Sequence, residues 1–106
     1  MGFFDFLRVP RIDEGVKEYT GTGGAVLLDV RTPQEYREGH IPGSRNIPLQ
    51  EIARVSTAVP GKDTPLFVYC RSGARSRQAV SALQRMGYLC VKNIGGITAY
   101  TGKVDQ

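Results

Sequence analysis

The stretch LFVYCRSGARSRQAVSALQRM, residues 66–86, is the part of the chain that determines the fold. Its first five residues, Leu66–Cys70, are continuously apolar, which predicts a strand buried on both faces of a sheet. A short loop, residues 71–74, follows. A helix is predicted from about Arg75 to Met86, because apolar residues recur at helical spacing and Gly87 stands where a C-terminal cap belongs. A buried strand that leads through a short loop into a helix is typical of α/β proteins.

The rest of the chain predicts the same alternation of strands and helices. A second apolar run, Ala25–Val30, predicts another buried strand. Thr32, Pro33 and Glu35 then form the pattern of a capped helix start. Further short elements are expected at residues 12–19, 45–47, 49–55, 88–91 and 95–100. Strands and helices that alternate and are joined by short turns indicate an α/β fold with a largely parallel sheet.

The size and composition of the chain favour one globular domain. Its 106 residues can build one hydrophobic core, so we expect a single domain over residues 1–106. The formal charge of +4 suits small anions, whereas no basic stripe with interleaved aromatic residues indicates a nucleic-acid partner. No apolar run is long enough for a membrane span, and the first residues lack the features of a signal peptide. We therefore expect a cytoplasmic protein, in which the apolar residues 3–7 dock on the core or on a partner.

Cys70 stands where a parallel sheet places its ligands. It ends a buried strand, directly before a glycine-containing loop that opens a helix, and ligands bind at this end of the strands. Backbone N–H groups of such a loop and the positive end of the helix dipole favour an anion. A helix N-terminus and nearby arginines, here Arg71 and Arg75, lower the pKa of a thiol. Cys70 is therefore predicted to be a thiolate nucleophile.

Cys90 is the only other cysteine, and its pattern differs. It lies between Leu89 and Val91 in a predicted strand, which favours a packed core thiol, with a resolving role as the alternative. Two cysteines do not form a disulfide framework, and with His40 alone they do not give zinc spacing. A reducing compartment fits this cysteine content best.

The polar residues around Cys70 have several predicted partners. Asp29 leaves a buried strand and is expected either to pair with an arginine, for which Arg75 is the candidate, or to cap backbone N–H groups. Arg31 and Glu35 stand four residues apart and are expected to form a second pair. His40 is predicted to have a hydrogen-bonded, structural role rather than that of a base. Ser72 and Ser76 either donate to a bound anion or cap the helix, and the sequence leaves both options open.

Four segments of the chain, taken together, resemble the signatures of rhodanese domains. They are residues 28–36 (LDVRTPQEY), 39–48 (GHIPGSRNIP), 69–76 (YCRSGARS) and 95–97 (GGI), in order and at the usual spacing. The resemblance covers about Ala25–Tyr100. It implies a central, mostly parallel five-stranded sheet flanked by helices.

The resemblance also implies a reaction. Cys70 would take a sulfur atom from a small anionic donor such as thiosulfate, become a persulfide, and pass the sulfur to a thiol or to cyanide. The loop that binds the donor would consist of Arg71, Ser72, Gly73, Ala74, Arg75 and Ser76. Asp29 and Arg31 would support the site structurally, and no metal or organic cofactor is implied. A sulfur-relay protein is a further expected partner.

Two other functions compete with this one. A sulfur-carrier or protein-binding module would also use Cys70, with little turnover on thiosulfate. Cysteine phosphatases place a thiolate in a similar loop, but their pattern has five residues between the cysteine and the arginine. Only four residues separate Cys70 from Arg75, which favours the shorter sulfurtransferase loop.

Overall fold

The computed structural model describes residues 10–106 of the chain, and four strands in this range form one parallel sheet. The strands are β1 (Val26–Asp29), β2 (Arg45–Asn46), β3 (Leu66–Cys70) and β4 (Val91–Gly96). Their order across the sheet is β2-β1-β3-β4. The parallel α/β architecture is confirmed, but the described residues contribute four strands where five were expected. The docking predicted for residues 3–7 falls outside the described residues.

The apolar run at residues 88–91 is not a separate strand, which corrects its prediction. Tyr88 turns inward, and its hydroxyl lies 3.0 Å from the carbonyl oxygen of Val55 and 2.5 Å from that of Val59. Leu89 is 77% exposed, and β4 begins only at Val91. Tyr88 and Val91 pack against the hydrophobic core, whereas Leu89 and Cys90 between them are exposed.

Helices lie close to the predicted positions, except that the helix expected at residues 49–55 is a 3₁₀ helix over Leu49–Arg54 followed by a short α-helix. They are α1 (Ile12–Thr20), α2 (Pro33–Glu38), α3 (Val55–Ala58) and α4 (Ala74–Arg85), with 3₁₀ turns at Leu49–Arg54 and Ile97–Ala99. The capping box at the start of α2 is present, since Thr32 Oγ1 accepts the Glu35 N–H at 3.1 Å and the Glu35 carboxylate accepts the Thr32 N–H at 2.9 Å. Across residues 10–106, no helix has both the length and the apolar character of a membrane span.

The hydrophobic core has two halves, one on each face of the sheet. Leu66, Val68 and Cys70 of β3 pack with Ala79 and Leu83 of α4. The alternate side chains of β3 pack in the opposite half, together with α1. Both faces of β3 are buried, as its continuous apolar sequence predicts. The Cys70 side chain therefore points toward α4, the helix that the loop after it begins.

Candidate functional site around Cys70

The buried Cys70 side chain sits at the carboxyl end of β3, against the first turn of α4. Its Sγ accepts a hydrogen bond from the Gly73 N–H at 3.0 Å, and the Ser76 hydroxyl lies 3.5 Å away. Gly73 is the N-cap residue of α4 and has no side chain that could cap the helix. The first N–H groups of a helix lack partners within the helix. The N–H of Ser76, the third residue of α4, also bonds to the sulfur, so Cys70 supplies the acceptor that the glycine N-cap lacks.

The environment of Cys70 favours the thiolate on balance. Burial by itself raises the pKa of the thiol. Hydrogen bonds from the Ser76 hydroxyl and from the backbone N–H groups of Ser76, Gly73 and Ser72 oppose that effect, and the pKa of Cys70 lies below its ordinary value. The site thus shifts the ionisation of Cys70 toward the thiolate, which is the reactive form of cysteine.

The backbone of the loop is held against β4 by Gly96 and Thr98. A Cβ atom at Gly96 would lie 2.2 Å from the carbonyl oxygen of Arg71 and 2.5 Å from the Cα of Ser72, so only glycine allows this approach. The Arg71 carbonyl oxygen accepts hydrogen bonds from the Thr98 N–H at 3.2 Å and from the Thr98 hydroxyl at 3.1 Å. These contacts turn the Arg71 carbonyl toward Thr98.

Replacing Gly96 with alanine should therefore disturb the loop more than the sheet. We expect Gly96→Ala to lower the free energy of unfolding by about 1–3 kcal/mol, because the atoms that it meets are backbone and move only with the loop. It should also slow the alkylation of Cys70, since the N–H groups that stabilise the thiolate shift. Gly23→Ala is the matched control, as no heavy atom lies within 4 Å of a Cβ there. Equal alkylation and equal stability in both variants would contradict this role of Gly96.

Two buried or half-buried ion pairs lie beside the loop, and their partners differ from the predicted ones. Arg31 pairs with the fully buried Asp29, with Nη2 2.7 Å from Oδ2 and Nε 3.0 Å from Oδ1. Arg75 pairs with Glu35, at 2.7 Å and 3.0 Å. The expected pairs Asp29–Arg75 and Arg31–Glu35 are therefore wrong.

The geometry of the chain explains the exchange of partners. The i, i+4 argument assumes one helix, but α2 starts after Thr32, so Arg31 lies outside it. The Arg31 N–H also donates to Asp29 Oδ1 at 2.9 Å, which brings the two side chains together at the end of β1. Glu35 instead faces α4, where the Arg75 guanidinium lowers its pKa to about 2 despite partial burial.

Arg71 and Arg31 border an open depression of about 320 Å³ beside the loop. The other residues around it are Glu35, Glu38, Gly39, Ile97, Thr98 and Val104. The Arg71 residue is exposed, whereas both terminal nitrogens of Arg75 are bound to Glu35. Of the two arginines predicted to flank Cys70, Arg71 thus presents its charge to solvent at the site.

Cys90 is exposed, which corrects its prediction as a packed core thiol. Its carbonyl oxygen accepts the Leu66 N–H at 2.8 Å, so it lies at the end of β3 opposite to Cys70. The four steps along the strand from Leu66 to Cys70 span about 13 Å. A disulfide needs Cα atoms within about 7 Å. The resolving role within one molecule is therefore excluded by the fold.

His40 has the structural environment predicted for it. Its Nδ1 lies 2.8 Å from the carbonyl oxygen of Tyr36, and its ring stacks on the Tyr36 ring at 3.7 Å. Its backbone forms an antiparallel bridge with Asp105. Within residues 10–106, no three side chains of histidine, cysteine, aspartate or glutamate cluster as a metal site.

Sequence reasoning missed Asn93 and Thr98. Asn93 lies in β4, where its side chain meets the Ser76 hydroxyl at 2.7 Å and the Gly73 carbonyl oxygen at 3.3 Å. Asn93 lies outside the elements predicted at residues 88–91 and 95–100, so no sequence pattern marked it. Its hydrogen-bond partners depend on which strand lies beside β3.

Comparison with known proteins agrees with the resemblance found in the sequence. The sequence model of the rhodanese-like domain matches residues 13–103. Over 71 residues the chain is 46% identical to the thiosulfate sulfurtransferase PspE of Escherichia coli (strain K12), a match that covers 66% of this chain and 68% of that protein. A solved structure of a rhodanese with anions from E. coli is 40% identical with a TM-score of 0.73, covering 77% of this chain and 98% of that chain.

A relative with a different description is also similar. The chain is 35% identical over 80 residues to the putative sulfur carrier protein YrkF of Bacillus subtilis (strain 168). That match covers 74% of this chain but 43% of the relative. The similarity thus extends to proteins described as enzymes and to one described as a carrier.

Proposed function

Because this chain belongs to the rhodanese-like domain family, we propose that it is a sulfurtransferase in which Cys70 carries the transferred sulfur as a persulfide. The observation that carries the proposal is the position of the Cys70 sulfur, which accepts hydrogen bonds at the start of α4. A thiolate held in this way is a nucleophile that needs no neighbouring base.

The proposed reaction has two displacement steps. In the first, the Cys70 thiolate attacks the outer sulfur of thiosulfate or a similar donor, the S–S bond of the donor breaks, and sulfite leaves with the bonding electrons. In the second, a thiol or cyanide attacks the outer sulfur of the persulfide, and the Cys70 thiolate leaves. Each step exchanges one bond to sulfur for another, so the residues of the loop need only stabilise anions.

The residues around Cys70 divide this work. The backbone N–H groups of Ser72, Gly73 and Ser76 stabilise the negative sulfur. Arg71 attracts the anionic donor, because its side chain is at the exposed edge of the site. Arg75, bound to Glu35, holds the start of α4 against α2 and so supports the shape of the loop.

Treatment with thiosulfate tests the proposal directly. We expect the intact protein to gain the mass of one sulfur atom, and we expect cyanide or dithiothreitol to remove it. The Cys90→Ser variant should behave in the same way, since Cys90 lies at the opposite end of β3. Absence of the added mass, together with turnover of an aryl phosphate, would identify the site as a phosphatase and overturn the assignment.

A sulfur-carrier module is the second candidate, favoured by the similarity to YrkF. Such a module would accept sulfur from a dedicated protein and pass it on, with Cys70 in the same role. It would form the persulfide but would show little steady-state turnover of thiosulfate with cyanide. Ping-pong kinetics with thiosulfate would favour the enzyme, because the protein is covalently modified between the two half-reactions.

A further inference from the structure

Asn93 of β4 makes three hydrogen bonds beside the loop that joins Cys70 to α4. Its Oδ1 accepts the Gly95 N–H at 2.9 Å and lies 2.7 Å from the Ser76 hydroxyl. Its Nδ2 lies 3.3 Å from the carbonyl oxygen of Gly73. The Gly95 N–H can only donate, so the atom facing it must be the amide oxygen, and this fixes the orientation of the Asn93 side chain.

The Ser76 hydroxyl has more acceptors than it has protons. It is fully buried and lies 2.7 Å from Asn93 Oδ1, 3.1 Å from the Gly73 carbonyl oxygen and 3.5 Å from Cys70 Sγ. A hydroxyl donates one hydrogen bond at a time. Because the contact with Asn93 is the shortest, a hydroxyl that donates to Asn93 does not donate to the sulfur.

We propose that Asn93 is a positioning residue that competes with the Cys70 sulfur for the hydrogen bond of the Ser76 hydroxyl. When Cys70 is a thiol, the hydroxyl donates to Asn93 and offers a lone pair to the S–H. When Cys70 is a thiolate, the hydroxyl rotates toward the sulfur, and Asn93 Oδ1 retains the Gly95 N–H. The competition thus sets how readily Cys70 ionises, and no proton leaves Ser76.

The competition acts in both half-reactions, an inference that rests on the proposed function of Cys70. In the persulfide the negative charge lies on the outer sulfur, so Sγ no longer attracts the hydroxyl and Asn93 takes it back. When the acceptor removes the outer sulfur, Sγ becomes a thiolate again and the hydroxyl returns to it. A hydrogen bond that forms as the charge develops stabilises the leaving thiolate.

Other charged groups face Cys70 but stay constant in this exchange. Arg71 follows Cys70 in the loop, and Arg75 on α4 interacts electrostatically with the sulfur. Glu35 on α2 is bound to Arg75, and Asp29 and Arg31 at the end of β1 neutralise each other. None of these side chains is hydrogen-bonded to Asn93 Oδ1 or to the Ser76 hydroxyl. A variant at Asn93 therefore leaves these charges in place.

A double-mutant cycle on the ionisation of Cys70 tests the competition. Ser76→Ala is introduced into three backgrounds, which are the native Asn93, Asn93→Asp and Asn93→Ala, all with Cys90→Ser so that one thiol remains. The measurement is the pH profile of the alkylation rate of Cys70 by iodoacetamide. In the native background, loss of the hydroxyl should move the midpoint upward and slow alkylation about tenfold at a pH below the midpoint.

The size of this effect should depend on residue 93 in a fixed order. It should be largest with Asn93→Ala, because the hydroxyl then has no side-chain competitor for the sulfur. It should be smallest with Asn93→Asp, because a carboxylate attracts the hydroxyl more strongly than an amide does. The negative charge of the Asn93→Asp variant shifts the ionisation of Cys70 whether residue 76 is serine or alanine. This shift therefore cancels when the effect of Ser76→Ala is compared between backgrounds.

Equal effects of Ser76→Ala in all backgrounds, or the reverse order, would overturn the proposal. Each of the two Asn93 variants gives an independent comparison, so one that folds is sufficient. Alkylation needs no sulfur donor, whereas the mass gain with thiosulfate tests the proposed function. The two readouts therefore separate a failure of this inference from a failure of the sulfurtransferase assignment.

Discussion

Cys70→Ser should abolish sulfur transfer, with a loss of at least about a thousandfold in turnover of thiosulfate. A serine hydroxyl is a poor nucleophile without a base, and the groups that bond to Cys70 Sγ are backbone N–H groups and the Ser76 hydroxyl. The variant should also gain no sulfur mass from thiosulfate. Its melting temperature should stay close to that of the native protein, because the serine hydroxyl can accept the hydrogen bond that the Gly73 N–H gives to the sulfur.

Cys90→Ser is the matched control for this result. It removes the second thiol of the chain at an exposed position, where neither packing nor the site depends on it. Its turnover should equal that of the native protein. Substantial activity in Cys70→Ser, or a comparable loss in Cys90→Ser, would refute the assignment of Cys70 as the sulfur carrier.

Arg31→Met should produce the largest loss of stability of any single arginine substitution considered for this site. It leaves the carboxylate of Asp29, which is 0% exposed, without the guanidinium that holds both of its oxygens. Removing one partner of a buried ion pair costs about 3–5 kcal/mol, because the remaining charge stays desolvated. Urea denaturation at neutral pH would measure this loss as a lower free energy of unfolding.

Two further variants check the cause of that loss. Arg54→Ala breaks an exposed ion pair with Glu51 and should cost less than about 1 kcal/mol. The double variant Asp29→Asn with Arg31→Met removes the carboxylate charge that Arg31→Met leaves unpaired. Its amide oxygen can still accept the backbone N–H of residue 31. It should recover a large part of the stability. If the double variant is as unstable as Arg31→Met, the buried charge is not the cause.

The local features of this protein follow from residues that are neighbours in the chain. The range of β3 was predicted to the residue from five apolar letters, and α4 begins one residue before the predicted start. The capping box of α2 depends on Thr32 and Glu35 alone. The lowered pKa of the Cys70 thiol also follows from its neighbours. A thiol between a strand and a helix lies beside the unpaired N–H groups that begin the helix.

The wrong predictions concern residues whose contacts are made with distant parts of the chain. Arg75 was predicted to reach Asp29, but Asp29 is already bound by Arg31 at the end of β1. Cys90 was placed in the core from its apolar neighbours, although only Tyr88 and Val91 of that run pack against the core, and Leu89 is exposed like Cys90 itself. In a segment that is neither helix nor strand, no regular periodicity indicates which apolar side chains face the core.

The alternating order of strands and helices, the loop that begins α4 and the placement of Cys70 at its start follow from local sequence patterns. The contacts that support this loop depend instead on how the sheet assembles. The parallel pairing of β3 with β4 sets Cys70 opposite Gly96, with a register shift after Val68, and so brings Asn93 and Thr98 under the loop. The physical reason is that local patterns fix backbone conformation, whereas hydrogen-bond and charge partners depend on which strands become neighbours when the sheet assembles.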